Sequence, residues 1–203
     1  MQSIRLMMGN AKMGKVMNIS LPPCSSCDTS LPCFKGGRQT CYSLKFYDLR
    51  TNVRASWDQN WAVWQVSPTL YFHEIEMAVR KRKPDMFRYH VGGDIPEPEY
   101  LQRMCALAAI MPETKFMAFT KRYDWAWDAR KWLPFNLQIV LSAWPGVTIP
   151  AKYKRRFPVA WMRDLKDPDK RIPKSAVTCD GGCDKCGMCW VLKPGKAVVF
   201  DRH

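Results

Sequence analysis

At 203 residues and 47% hydrophobic content, the chain is long enough to close one core of its own, and no stretch approaches the ~20 apolar residues of a membrane helix. Thirty-two Lys and Arg against eighteen Asp and Glu leave a formal charge of +14, which predicts nucleic acid or another polyanion as a partner. A phosphate loop, a Ser-His-Asp constellation and a paired-carboxylate site are all missing from the sequence, which excludes the common hydrolase classes. The start lacks a basic segment followed by an apolar run and a small-residue cleavage site, so the expected compartment is the cytoplasm. Clustered cysteines in a reducing compartment are metal ligands more often than disulfide staples.

Taken in chain order, Met17 to Ser20 reads as a short strand entering Leu21-Pro22-Pro23, whose prolines force an extended approach to the next segment. From Cys24 to Cys41, Pro32, Gly36 and Gly37 interrupt any apolar period, which predicts irregular backbone wrapped around a metal centre. Leu44 to Gln65 has helical character, and Ser67-Pro68 caps a second helix reaching about Arg82. The alternation then becomes regular: strand Met86–Val91, helix Glu97–Ile110, strand Lys115–Phe119, helix Asp124–Trp132, strand Leu137–Leu141 and a short strand near Val159–Met162. Alternation of this kind predicts parallel strands joined by right-handed helical crossovers. Four to six strands are too few for a closed eight-stranded barrel. The expected fold is therefore one α/β domain over residues 1–203, an open, partial β/α barrel over 44–165, with a cysteine-rich loop at 24–41 and a cysteine knuckle within 174–203.

Eight of the nine cysteines fall into two groups, Cys24, Cys27, Cys33 and Cys41 near the start and Cys179, Cys183, Cys186 and Cys189 near the end. The second group packs four thiols into eleven residues, too tightly for two unstrained disulfides. Closely spaced thiolates suit an iron–sulfur cluster, whereas structural zinc prefers two pairs set further apart; zinc stays open as the alternative. Gly181, Gly182 and Gly187 permit the tight loop. Cys105, within an apolar helical pattern, reads as a small buried hydrophobe. Two basic runs, Arg80 to Lys83 and Lys152 to Arg156, concentrate part of the positive charge.

Ligands of parallel α/β sheets bind where strands end. Here the candidates are Arg88, His90, Gly92, Gly93 and Asp94 along and after the first regular strand, Thr120 and Lys121 after the second, and Ser142 after the third. His90, Asp94 and Lys121 are the residues able to carry protons. Gly92, Gly93, Arg88, Thr120 and Ser142 are candidate cofactor contacts. The same residues also have structural readings: a tight turn for the glycines, a helix cap for Asp94, a satisfied donor for His90.

The series Leu21-Pro22-Pro23, the first cysteines ending in Cys41-Tyr42, Phe87-Arg88-Tyr89-His90-Val91-Gly92-Gly93-Asp94, Pro112 to Arg122, Pro134 to Ser142, and Thr178-Cys179 through Cys189-Trp190 to Val199-Phe200-Asp201-Arg202-His203 resembles a phage gene-product-eighty-eight family. More distantly, a cysteine loop closed by Cys41-Tyr42 and a strand ending in Gly92-Gly93-Asp94 resemble radical S-adenosylmethionine (SAM) enzymes, with their three-cysteine loop and Gly-Gly-Glu element. That likeness implies a partial barrel with [4Fe–4S] clusters at both cysteine groups, an electron donor as partner, and SAM wherever one iron is left open. The spacing departs from the C-x3-C-x2-C of those enzymes: five and seven residues separate Cys27, Cys33 and Cys41, and Cys24 stands where a fourth thiolate would close the cluster. The expected function is a redox-active iron–sulfur enzyme or electron carrier; the alternative is a basic nucleic-acid-binding protein braced by iron–sulfur or zinc sites.

Overall fold

The computed structural model describes residues 3–165 and 169–201. Arg202 and His203 of the C-terminal motif lie outside the described residues. Seven strands form one all-parallel sheet in the order β1-β2-β3-β4-β5-β7-β6: β1 Met17–Ile19, β2 Met86–Tyr89, β3 Lys115–Thr120, β4 Leu137–Ala143, β5 Val159–Arg163, β6 Val177–Thr178 and β7 Ala197–Asp201. The count exceeds the expected four to six because of β6, two exposed residues too short to announce themselves by period. Each strand from β1 to β5 is laid beside its predecessor in the same direction. With right-handed crossovers, that winding sends the helices that connect β1 to β5 to one face.

The register makes the two faces chemically distinct. Met17, Phe87, Phe116 and Leu137 follow one another across the sheet, as do Leu141, Val159 and Ala197. All belong to the main core, together with Trp64, Tyr71, Ile75, Tyr100 and Met104 from the helices. The alternate residues, Met117, Val140, Ala160 and Val198, face the other way into a second core with Met13, Val16, Cys189, Trp190 and Leu192. Period-two alternation thus buries both faces, one under helices and one under the chain termini.

The helical layer consists of α4 Thr51–Val66 and α5 Pro68–Arg82 between β1 and β2, then α6 Pro98–Ala109, α7 Tyr123–Ala129 and α8 Ala151–Arg156, one before each of β3, β4 and β5. Ser67 caps α5 by accepting the Leu70 N–H at 3.2 Å, with Pro68 in the first turn. The single helix expected from Leu44 to Gln65 is two: α3, Tyr42–Leu49, stops where Arg50 turns extended (φ −123°). Arg54 of α4 reaches back to the free carbonyls of Tyr47 and Asp48, at 3.2 and 2.9 Å, and so caps the end it follows. The segment from Cys24 to Cys41 is also more ordered than expected. It holds α1, Pro23–Ser26, α2, Pro32–Lys35, and a 3-10 turn, Gly37–Gln39. A proline opens α1 and α2, supplying the fixed φ of a first helical residue. A final short helix, α9, spans Cys183–Cys186.

Candidate functional site

The first cysteine group lies against the C-terminal ends of β2, β3 and β4. Leu21 N–H donates to Gly92 O at 3.1 Å, and Arg122, just after β3, pairs with Asp28 at 3.5 Å. Tyr42, beside Cys41, donates its hydroxyl to Val91 O, and Gly146, after β4, faces Pro32. Burial pushes the Cys27 thiol far up; Asp94, Cys41 and Cys33 add to the rise, and Lys121 opposes it. Cys33 is likewise raised by burial, with Lys121 opposing and Cys41 and Asp94 adding. The Lys121 ammonium is pulled down by burial, but the charges of Cys33, Asp94, Cys27 and Cys41 outweigh that and hold it above its usual range. Cys27, Cys33 and Cys41 therefore form one electrostatic unit around Lys121 and Asp94. Cys24 is exposed, and its thiol is raised by burial and then by Asp48, with Asp58 and Cys41 adding. Of this unit, the charge of Cys41 is the one that reaches it.

Asp94 is buried and its carboxylate is fully engaged. Oδ1 accepts the Thr120 hydroxyl at 2.6 Å and the Ile95 N–H at 2.7 Å; Oδ2 accepts the Lys121 N–H at 2.9 Å. The glycines before it are consumed by packing. A Cβ on Gly92 would stand 2.0 Å from the Trp57 ring, and one on Gly93, which adopts φ 87°, would meet Ser26 Oγ at 2.5 Å and Leu21 O at 2.6 Å. Gly92, Gly93, Asp94 and Thr120 thus seat the cysteine loop on the strand ends. Ser142 accepts the Tyr123 hydroxyl on its carbonyl at 2.6 Å. Tyr123 escaped the sequence reading, yet its phenol is raised by burial, with Asp94 and Cys33 adding; the one available signal was an aromatic right after Lys121-Arg122.

Two candidates sort elsewhere. His90 takes a left-handed backbone (φ 57°), which breaks the alternation and turns the imidazole to the helical face. There Nε2 meets Tyr100 Oη at 3.1 Å, and Tyr100 meets Tyr71 at 2.8 Å. Burial, aided by the charge of Arg88, drops the His90 pKa to about 3, so the ring is neutral and sits in the core. Arg88 points to the opposite face, beside the second cysteine group.

That group caps the face opposite the connecting helices. Trp190 donates its indole N–H to Phe87 O at 3.1 Å, and Gln138 of β4 donates to Leu192 O at 3.0 Å, pinning the knuckle across β2 and β4. The N-terminal turn clamps it from outside: Gly182 N–H donates to Lys12 O at 2.8 Å and Asp184 N–H to Met13 O at 3.1 Å. Gly181, Gly182 and Gly187 all have positive φ, as the tight loop requires. Burial pushes Cys189 up to about 12, with Cys179, Cys183 and Cys186 adding and Arg88 opposing. Cys183 is raised by burial, opposed by Arg88 and Lys12 and raised by Cys179 and Cys186. The Arg88 guanidinium lies 4.8 Å from the Phe119 ring, donates an Nη1 hydrogen to Met13 Sδ at 3.1 Å, and keeps a buried Nε without a partner among the described residues. Cys105 is buried in α6, as expected.

Burial keeps the Cys27 and Cys189 thiols protonated at neutral pH, and a bound metal would deprotonate them. A single tetrahedral zinc needs sulfurs about 3.8 Å apart, given Zn–S of about 2.3 Å. Among the described residues no group of three or more His, Cys, Asp or Glu side chains is placed to hold a metal ion.

These features define a cysteine-rich, all-parallel α/β protein with one thiol group on its strand ends and another under its open face. The chain belongs to the Gene product 88 family, whose model matches residues 4–192. It is similar to the Gene 88 protein of Mycobacterium phage L5, with 26% identity over 212 residues, covering 89% of this chain and 85% of that protein. No solved structure matches it. Among the described residues, no helix is long and apolar enough to cross a membrane.

Proposed function

We propose that this phage-type protein is a redox-active iron–sulfur protein of the host cytoplasm, acting as an enzyme or electron carrier that binds two [4Fe–4S] clusters and draws on an external electron donor. What supports the reading is the sorting of the cysteines into two separate units, each with its own half-buried cation: Lys121 with Cys27, Cys33 and Cys41, and Arg88 with Cys179, Cys183, Cys186 and Cys189. A cluster supplies one-electron transfer when bound. The chain's own residues would hold it, exclude water and set its charge balance. Lys121 and Arg88 would offset thiolate charge, while Trp190 and Phe119 would shield the second group from solvent.

The exposure of Cys24, against the half-buried Cys27 and Cys33, supports three thiolates at the first cluster, with one iron open to a small ligand. SAM is one ligand such an iron would take, and the radical-SAM-like, partial-barrel reading of the fold rests on that resemblance. Packing of Gly92 and Gly93 against Trp57, Leu21 and Ser26 argues against their reaching it.

The experiment is anaerobic purification with iron, sulfide and zinc counted per chain, followed by EPR of the reduced protein with and without SAM. About eight iron and eight sulfide are expected from two [4Fe–4S] clusters. Zinc without iron refutes the redox reading, and an EPR signal indifferent to SAM removes that ligand while leaving the clusters.

A further inference from the structure

We infer that the edge of the sheet opposite the first cysteine group is a binding surface for single-stranded nucleic acid, with phosphates on a row of basic side chains and a base stacked on Trp132. In a parallel sheet every connecting helix delivers its last residues to the start of the next strand, so the residues before β2, β3, β4 and β5 share one edge. Those positions, with the first residue of β3, hold Arg82, Lys115, Arg130 with Lys131, and Arg155 with Arg156. All but the half-buried Arg130 are exposed. Because β2 to β5 are neighbours in the sheet, with strands about 4.8 Å apart, the row runs roughly 15 Å, interrupted by Asp85 and Glu113.

Helix dipoles favour cations at C-terminal ends, and that alone accounts for basic residues closing α5 and α8. It does not account for the aromatics set among them. Trp132 is 46% exposed and Phe135, three residues on, is 89% exposed. Trp132 walls a shallow apolar depression of about 480 Å³ floored by Cys105, Ala106, Ala109 and Pro134. Two of the basic side chains are anchored along this edge: Arg156 donates to Arg130 O at 3.2 Å, and Arg130 lies 4.1 Å over the Trp127 ring. An exposed indole beside a basic row suits a strand whose bases are free to stack, whereas the bases of a duplex are already stacked on one another. The formal charge of +14 supplies the long-range attraction. This surface is independent of metal loading.

The test is fluorescence anisotropy with a labelled single-stranded oligonucleotide between about 50 and 200 mM salt. The wild type is compared with R155E/R156E, with W132A and with K45E/K170E, which makes the same charge change away from this edge. R155E/R156E should lower the slope of log K against log salt by about 1.4, at about 0.7 per phosphate contact on a single strand. W132A should weaken binding roughly 5- to 150-fold with the slope unchanged. K45E/K170E should stay near wild type, and circular dichroism confirms that each variant is folded. Failure of the wild type to bind, equal loss in both charge-reversal variants, wild-type affinity in W132A, or equal affinity for a duplex overturns the inference.

Discussion

Asp94 and Thr120 are joined by a 2.6 Å hydrogen bond from the threonine hydroxyl to carboxylate Oδ1, with both residues buried. The bond ties the loop after β2 to the end of β3, and Oδ2 takes the Lys121 N–H beside it. Asp94→Ala would leave the Thr120 hydroxyl and the N–H groups of Ile95 and Lys121 without their acceptor. The expected loss is about 3 kcal/mol, since hydrogen bonds to a charged acceptor contribute roughly 1.5–3 each and buried donors left unpaired add to the cost. Urea unfolding measures it; a loss below about 1 kcal/mol would mean that water replaces the carboxylate with little penalty.

Gly92 and Trp57 make a second, steric prediction. Gly92→Ala drives a methyl into the indole, which stands 2.0 Å from the Cβ position, so the alanine should cost about 1–3 kcal/mol as an overpacked site. In a Trp57→Ala background the same substitution should cost far less. The difference, read from a double-mutant cycle, is the contact itself. An undiminished cost would place the strain in the backbone.

His90 predicts a pH dependence. Its folded pKa lies near 3 against the ordinary 6.5, because burial, with Arg88, penalises the charged ring. Below about pH 6.5 the unfolded chain binds a proton that the folded chain refuses, so stability is full above that pH and falls as pH drops towards 3. The slope approaches about 1.4 kcal/mol per pH unit. His90→Gln should flatten the decline between pH 6.5 and 5, where most carboxylates are still ionised. Equal slopes for the two proteins would show that another group dominates this window.

The proposed clusters predict how iron follows the cysteines. Serine at Cys27, Cys33 or Cys41 should remove about half the iron, as should serine at Cys179, Cys183, Cys186 or Cys189, since each unit would hold four of eight irons. Cys24→Ser should retain full iron. A Cys24→Ser protein with half the iron would make that thiol the fourth ligand and close the first cluster.

The α/β alternation was legible because β2 to β5 and their helices obey local periods of two and 3.6, and both cysteine groups were legible from spacing alone. What spacing could not convey was orientation. Arg88 and His90 lie two apart in a strand pattern and should share a face; the left-handed backbone of His90 separates them, and histidine, though commoner at such a φ than most non-glycine residues, adopts it too seldom to announce it. The break at Arg50 was hidden for a similar reason, as the cap that permits it comes from Arg54, four residues on and inside the next helix. Lys121 and Arg88 looked alike as strand-end cations. Only the sheet, with its termini folded across one face, assigns one to each thiol group.

Arg88 offers the last prediction, because its place beside the second group was invisible in the sequence. Its guanidinium opposes the rise of both Cys183 and Cys189, and its buried Nε has no partner among the described residues. A fixed positive charge stabilises the more negative, reduced form of a nearby cluster, and a free N–H is available to a sulfur. Arg88→Gln removes the charge while keeping a polar side chain of similar reach. In the iron-loaded protein the midpoint potential of one cluster should fall while that of the other stays put, followed by EPR during redox titration. Arg88→Lys, which keeps the charge and loses the planar fork, should recover most of the shift. A potential unmoved by either substitution would reduce Arg88 to a packing residue stacked on Phe119, and the second thiol group would then owe its charge balance to Lys12.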